Sequence, residues 1–491
     1  MGQAKENTKI FKKISDNQAY MKSRVGVGTS FDVEYRELII LKRKTQMYYV
    51  NGLVDDPTVV QIIKVLVGLN DHETNKSHLY DIIKNRLVNL SVKSVQSMDE
   101  ALDQMLSGLI VLFIDNEQYA LIIDVRHYPG REPEEPDTER VVRGSRDGFT
   151  ENIIQNTALT RRRVRDVRLR NEMMKVGERS KTDVCLSYIQ DIADDDLIAL
   201  AKEKISEIEI DGITMAEKAL DEFIIDHRWN PYPLVRYTER PDVAANHLLE
   251  GHLLIYVDTS PSIIILPTTF FDHLEHAEEY RQTPAVGTFI RWIRFLAVLA
   301  SLYLLPFWLL FARDPTLLPK ELSFIGPNEE GNVPITLQVV LGYIGVEFLR
   351  MAAIHTPNAL ATALGLIAAV LIGEIAIDVG MLSPEVVLYV SISTIGSYVT
   401  PSYELGVANK IMAFFLILLT GLFTLKGFVI GFLISTIFLA RLKTLKTPYL
   451  WPFIPFNAVG MFNVIFRIPL PFSNSRPSIV HPKNVYKQPQ K

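Results

Sequence analysis

The sequence predicts an α/β aqueous domain made of two tandemly duplicated subdomains, followed by an all-α, multi-pass membrane domain of four to six spans. Three features lead there. A segment of the first half recurs later in the chain, the second half is dominated by apolar runs, and basic residues bracket those runs at both ends.

The bulk composition conceals this division. Of 491 residues, 48% are hydrophobic and 22% charged, and the formal net charge of −5 gives no reason to expect a nucleic-acid partner. Before about Arg294 the sequence is rich in charge, whereas from Phe295 to Leu442 apolar residues prevail. The lone cysteine, Cys185, can neither close an internal disulfide nor build a thiolate metal site, and it reads as a small core residue. The N-terminal residues lack the apolar core of a cleavable signal peptide, so insertion is expected to use the internal spans.

The repeat is visible without any second sequence. Ala101–Asp115 (ALDQMLSGLIVLFID) aligns with Ala244–Asp258 (AANHLLEGHLLIYVD) at an offset of 143, with Ala, Leu, Gly and Asp coinciding. Both copies read as an amphipathic helix, a glycine stop and an apolar strand ending in Asp. A second strand follows in each, over Tyr119–Val125 and Ser262–Leu266. The same offset carries a predicted strand at Leu38–Val50 onto Lys181–Ala193. The expected division is a polar segment over 1–35, a first subdomain over 36–130, an acidic, Pro-rich linker and basic helical segment over 131–180, and a second subdomain over 181–285. The membrane domain takes 286–445 and a cytoplasmic tail 446–491.

Within the linker region, Thr160–Arg170 (TRRRVRDVRLR) holds six arginines. Without interleaved aromatics it is read as a solvated or subunit-bridging face, with contact to anionic lipid headgroups as the alternative. No catalytic constellation, P-loop or dinucleotide-binding glycine pattern is present, and the ten histidines show no metal-ligand spacing. Neither an enzyme nor a cofactor is expected.

Phe295–Ala312 is free of charge for eighteen residues, nearly enough to cross a hydrocarbon core of ~30 Å at ~1.5 Å per residue. Further segments lie at Ile335–Ile354, Ala359–Val379, Glu385–Tyr403 and Ala408–Leu442, the last long enough to turn back near Gly421, Lys426 and Gly427. Arg281, Arg291 and Arg294 precede these spans, and Arg441, Lys443 and Lys446 follow them. The positive-inside rule then puts both ends in the cytoplasm and makes the number of spans even.

Charges inside the spans are costly in lipid and should face protein or water. Glu347 and Arg350 stand three apart on one helix face and can pair. The Ala359–Val379 stretch is the pore candidate. Gly365, Ala369, Gly373, Ala376 and Gly380 form a small-residue stripe suited to close helix packing, and Ile367, Leu371, Glu374 and Asp378 lie on a neighbouring face. A ring of identical subunits would stack apolar constrictions beside two acidic rings; equally, the acids can cap the helix at the membrane boundary. Pro401 is a hinge candidate.

Several longer motifs resemble the A-subunit family of GerA-type spore germinant receptors. They are Arg143–Asp194, Glu207–Ile213 (EIEIDGI), Asn230–Phe270 with Thr238, Glu239, Arg240 and Pro241 in TERPD, Val346–Ala352 (VEFLRMA), Gly365–Pro384 and Thr447–Phe453 (TPYLWPF). The similarity runs in order along nearly the whole chain and is strongest toward the stage V sporulation branch. It implies a place in the inner membrane of bacterial spores and a role in germination. It also implies a homo-oligomer, a pentamer by family analogy, that releases monovalent cations with a transporter-like B-type subunit and often a C-type lipoprotein. Carried over by position, the pore-lining role falls on Leu360–Val379, with Leu360, Leu364, Ile367, Leu371, Glu374 and Asp378 facing the pore. Where the family pattern commonly has glutamine, this chain has Glu374 and Asp378, which would strengthen cation preference and fits a channel that amplifies a signal begun elsewhere.

Overall fold

The computed structural model describes residues 8–69, 79–87, 91–127, 144–225, 229–327, 332–355, 365 and 370–488. Two compact units divide the chain. One joins Met1–Asp226, Val235–Pro267 and Pro469–Lys491; the other joins His227–Leu234 and Thr268–Ile468.

The first unit holds two five-stranded antiparallel sheets. After an opening helix α1 (Ile14–Val25), the first sheet is made by β1 (Val33–Ile40), β2 (Arg43–Val50), α2 (Asp56–Val67), α3 (Leu79–Arg86), β3 (Val92–Val95), α4 (Met98–Leu106), β4 (Ile110–Ile114) and β5 (Ala120–Ile123). The second follows α5 (Ile153–Arg163). It comprises β6 (Leu169–Val176), β7 (Thr182–Ile189), α6 (Asp195–Ser206), α7 (Ala216–Ile224), β8 (Arg236–Thr238), α8 (Pro241–Glu250), β9 (Leu253–Val257) and β10 (Ile263–Leu266). The strand orders are β1-β2-β4-β5-β3 and β6-β7-β9-β10-β8, so each strand of one sheet has a counterpart in the same place in the other.

Residue alternation explains why β4 and β5 are buried throughout. Val111, Phe113, Ala120 and Ile122 face one core with α4, while Ile110, Leu112, Ile114, Leu121 and Ile123 face a second core with α2 and α3. Helix α4 presents Met98, Ala101, Leu102, Met105 and Leu106, the spacing of one helical face. Helix α2 starts where Asp55 accepts a hydrogen bond from Thr58 N at 3.2 Å and Pro57 fits the first turn.

The expected single strand over Leu38–Val50 is two strands. Leu41 and Lys42 take φ of 47° and 63°, and Ile40 pairs with Arg43 across this two-residue turn. Such turns usually announce themselves with Asn or Gly, and neither is present. The strand expected over Lys181–Ala193 covers only Thr182–Ile189.

The basic run is not a uniformly solvated face. Arg161, 1% exposed, meets Asp32 and the Asp166 and Leu169 carbonyls. Arg163 meets Asp147, and Arg170 donates to the Val167 and Arg24 carbonyls. Arg162, Arg165 and Arg168 remain exposed.

The second unit is helical. Among the described residues, three helices are long and apolar enough to cross a membrane: Pro284–Arg313, Ile335–Ala352 and Tyr403–Arg441. The 39-residue Tyr403–Arg441 stretch is broken at Thr424, where φ is 51° and ψ −130°. A Cβ on Gly427 would strike the Leu419 carbonyl, and one on Gly431 would meet Leu416 at 2.7 Å, so the arms on either side of Thr424 fold back on each other. The break falls between Gly421 and Lys426, within the zone where a turn is expected.

Candidate functional site

The helices of the second unit alternate in direction, which fixes the depth of each polar residue. At the end where the apolar region begins, Arg291 Nη1 donates to the carbonyls of Asn463 and Val464 at 2.8 and 3.0 Å, and Trp292 Nε1 to that of Ile465 at 2.9 Å. Phe270 N likewise donates to the Tyr449 carbonyl at 2.8 Å. The chain therefore enters and leaves the helical region at one end. Glu279, fully buried, ties this end together by accepting from Arg291 Nε at 2.7 Å and pairing with Arg294.

Opposite contacts mark the distal end. Trp308 Nε1 donates to the Ile325 carbonyl at 2.7 Å, Ser383 N to Gln338 Oε1 at 2.7 Å, and Gly421 presses on Thr336. The Pro384–Tyr398 helix runs back along the first, with Tyr389 stacked on Trp308 at 4.8 Å and Ser393 donating to the Ser301 carbonyl at 3.1 Å. Pro401 lies between this helix and the Ser402 cap of the next.

Glu347 accepts from Arg350 Nε at 2.7 Å and from Lys410 Nζ at 2.6 Å. Arg350 Nη1 donates to the Tyr403 hydroxyl at 2.8 Å, and the Lys410 ammonium lies 5.3 Å from the centre of the Tyr398 ring. Tyr343 donates to the Lys410 carbonyl at 3.1 Å. One carboxylate thus serves two cations, clothed by tyrosines, which is how charge is tolerated among apolar helices. The sequence reading missed Lys410 because it lies near the start of its run. Its signal is the spacing to Tyr403, seven residues and two turns on one face.

Glu374 and Asp378 end the third apolar stretch, the first in a π-helical turn (Leu371–Ile375) and the second in the short helix Ala376–Asp378. Both are exposed in the single chain. Gly380, at φ 67°, ends the stretch against Asn332, so the two acids sit toward the distal end. Cβ atoms on Gly365 or Gly373 would meet open space, and Ala376 is half-buried. Leu360, Leu364, Ile367 and Ala369 lie outside the described residues, as does the side chain of Leu371.

The TERPD motif belongs to the first unit and acts as a corner brace. Arg240, fully buried, reaches both carboxylate oxygens of Asp242 at 3.1 and 3.0 Å and the Ser145 carbonyl at 3.0 Å. Its own N–H donates to the Thr238 hydroxyl at 3.1 Å, Phe149 N donates to the Glu239 carbonyl at 2.8 Å, and Pro241 opens α8.

Comparison with known proteins identifies the family. Residues 19–479 match the family model described as Bacillus/Clostridium GerA spore germination protein. Stage V sporulation protein AF of Bacillus subtilis is 56% identical over 99% of this chain and 98% of its own length. Spore germination protein KA of the same organism is 29% identical over 94% of this chain and 86% of its own. The crystal structure of the N-terminal domain of the A subunit of the Bacillus megaterium spore germinant receptor GerK3 is 26% identical, covers 54% of this chain and 99% of that domain, and superposes with a TM-score of 0.43. The chain therefore belongs to the GerA family of spore germination proteins.

Proposed function

We propose that this protein is a subunit of an oligomeric membrane channel that releases monovalent cations from the spore core during germination. The observation that carries the proposal is the exposure of Glu374 and Asp378 on an apolar stretch of a single chain. A carboxylate facing lipid costs roughly 2.5–3.5 kcal/mol at mid-membrane and less toward the boundary, where these two acids lie, and on an apolar stretch it is satisfied by water or another subunit beside it. Open space around Gly365 and Gly373 supports close approach of a neighbouring copy.

In this reading six spans cross the membrane, the third being 359–379. Entry and exit at one end of the bundle support an even number of spans and a common side for both termini, and the basic residues flanking the first and last spans favour the cytoplasmic, spore-core side for both. The matched strand orders support descent of the two sheets from one duplicated unit. A pentamer, a transporter-like B-type partner and a C-type lipoprotein complete the assembly, and the channel amplifies a signal started by nutrient receptors.

The experiment is potassium efflux from liposomes holding the purified protein with its partner, before and after Glu374→Gln plus Asp378→Asn. Loss or altered selectivity of efflux in the double variant supports the channel. A second reading, a membrane-anchored relay or scaffold without its own pore, draws on the position of both acids toward the distal end, where they would cap a helix in contact with water. It predicts unchanged ion release and germination in the same variant.

A further inference from the structure

The first unit contains a cluster of ionisable side chains remote in sequence from the proposed pore-lining stretch. His247 and Glu250 lie in the last turn of α8 and His252 just beyond Gly251, which ends the helix at φ 108°. Their candidate ligand atoms all lie within 4.8 Å of one another. Both imidazoles are buried, at 4% and 2% exposure, and their rings meet edge to face at 4.7 Å. His252 donates from Nδ1 to the Pro267 carbonyl at 2.8 Å, which leaves the Nε2 lone pair available as a ligand. Arg236 Nη1 lies 3.3 Å from His247 Nε2, and because arginine only donates, Nε2 accepts and the ring proton sits on Nδ1. That Nδ1 is buried with no hydrogen-bond partner, 4.0 Å from Glu250 Oε2.

Glu250 has a second attachment. Lys487, near the C-terminus, places its ammonium 2.5 Å from Oε1. The same tail is held by Arg476 donating to the Leu249 carbonyl at 2.8 Å, by Lys483 on the Gln190 carbonyl at 2.9 Å, and by Val480 against Gly251.

We propose that His247, Glu250 and His252 form a binding site for a divalent transition metal of the zinc class, and that metal competes with Lys487 for Glu250 and so loosens the C-terminal tail. Two imidazoles and one carboxylate are the donor set that borderline cations prefer, and the His-x-x-Glu-x-His spacing brings them together only because the chain turns at Gly251. Coordination through His247 Nδ1 moves that ring's proton to Nε2 and gives up the contact with Arg236. No net proton is released there. A dication on Glu250 then repels the Lys487 ammonium, which makes metal and tail closure antagonistic.

The test is independent of the channel reading and uses the full chain in detergent, stripped of metal and titrated with Co²⁺, whose visible d–d bands report nitrogen and oxygen ligation. One Co²⁺ per chain is expected. His252→Asn and Glu250→Gln each weaken binding by about 10–100-fold, while Lys487→Met strengthens it. With Zn²⁺ present, trypsin is expected to cut at Lys483 and Lys487 faster, and EDTA to reverse the effect. Absence of the bands, bands that survive His252→Asn in a protein of unchanged thermal stability, or no gain from Lys487→Met would each overturn the proposal.

Discussion

Arg161 and Asp32, 129 residues apart, form a bidentate ion pair with Nε–Oδ2 at 2.8 Å and Nη2–Oδ1 at 3.2 Å, each side chain 1% exposed. The pair joins α5, which leads into the second sheet, to the loop that opens the first. Removing one partner leaves an uncompensated buried charge, so Asp32→Ala or Arg161→Met should each cost roughly 3–5 kcal/mol. The double replacement should cost clearly less than the two singles added together. Denaturant unfolding of the four proteins measures this.

The membrane cluster gives an asymmetric prediction. Lys410→Met leaves Glu347 still paired with Arg350, whereas Glu347→Gln leaves two cations without their carboxylate partner among the described residues. The glutamine variant should therefore lose more thermal stability in detergent, with a difference on the order of 1–3 kcal/mol. Equal losses would mean that Lys410 and Arg350 are neutralised by something other than Glu347.

Thr424 and Gly427 make the fold-back. A β-branched residue at positive φ is strained, so Thr424→Gly should stabilise the protein by about 1 kcal/mol. Gly427→Ala should cost about 1–3 kcal/mol or more, because the new methyl meets the Leu419 backbone and not a movable side chain. Thermal unfolding in detergent distinguishes the opposite signs.

Much of this was legible in sequence, and the exceptions have physical causes. The helix–glycine–strand segments at Ala101–Asp115 and Ala244–Asp258 fold as read, because amphipathic spacing and a glycine stop are local signals. The β1–β2 turn escaped because Leu41 and Lys42 carry no turn chemistry. The inward role of Arg161 escaped because its partner Asp32 is remote in sequence, and charge runs are normally solvated. The His247–Glu250–His252 cluster escaped because only His247 and Glu250 share a helical face; His252 joins them because Gly251 redirects the chain. Of the pore candidates, Glu374 and Asp378 can be placed in the structure, and the side chains of Leu360, Leu364, Ile367 and Leu371 lie outside the described residues.

His252 makes stability depend on pH. Burial lowers its pKa from 6.5 to about 4, so the folded protein binds this proton less readily than the unfolded chain. Its stabilising effect is whole above about pH 6.5 and is lost as pH falls toward 4, up to about 3 kcal/mol in all. Urea midpoints at pH 7 and pH 5 should differ in the native chain and differ less in His252→Asn.

Cation release through this protein requires that the stretch ending at Asp378 border a water-filled path. The direct measurement is potassium efflux from liposomes carrying Asp378→Cys with its partner, treated with a charged, membrane-impermeant thiol reagent; the native Cys185 is fully buried and its thiol pushed up in pKa by burial, so it stays silent. Prompt change in efflux on modification is predicted. Robust efflux that the reagent leaves untouched, with the cysteine unlabelled, would contradict it.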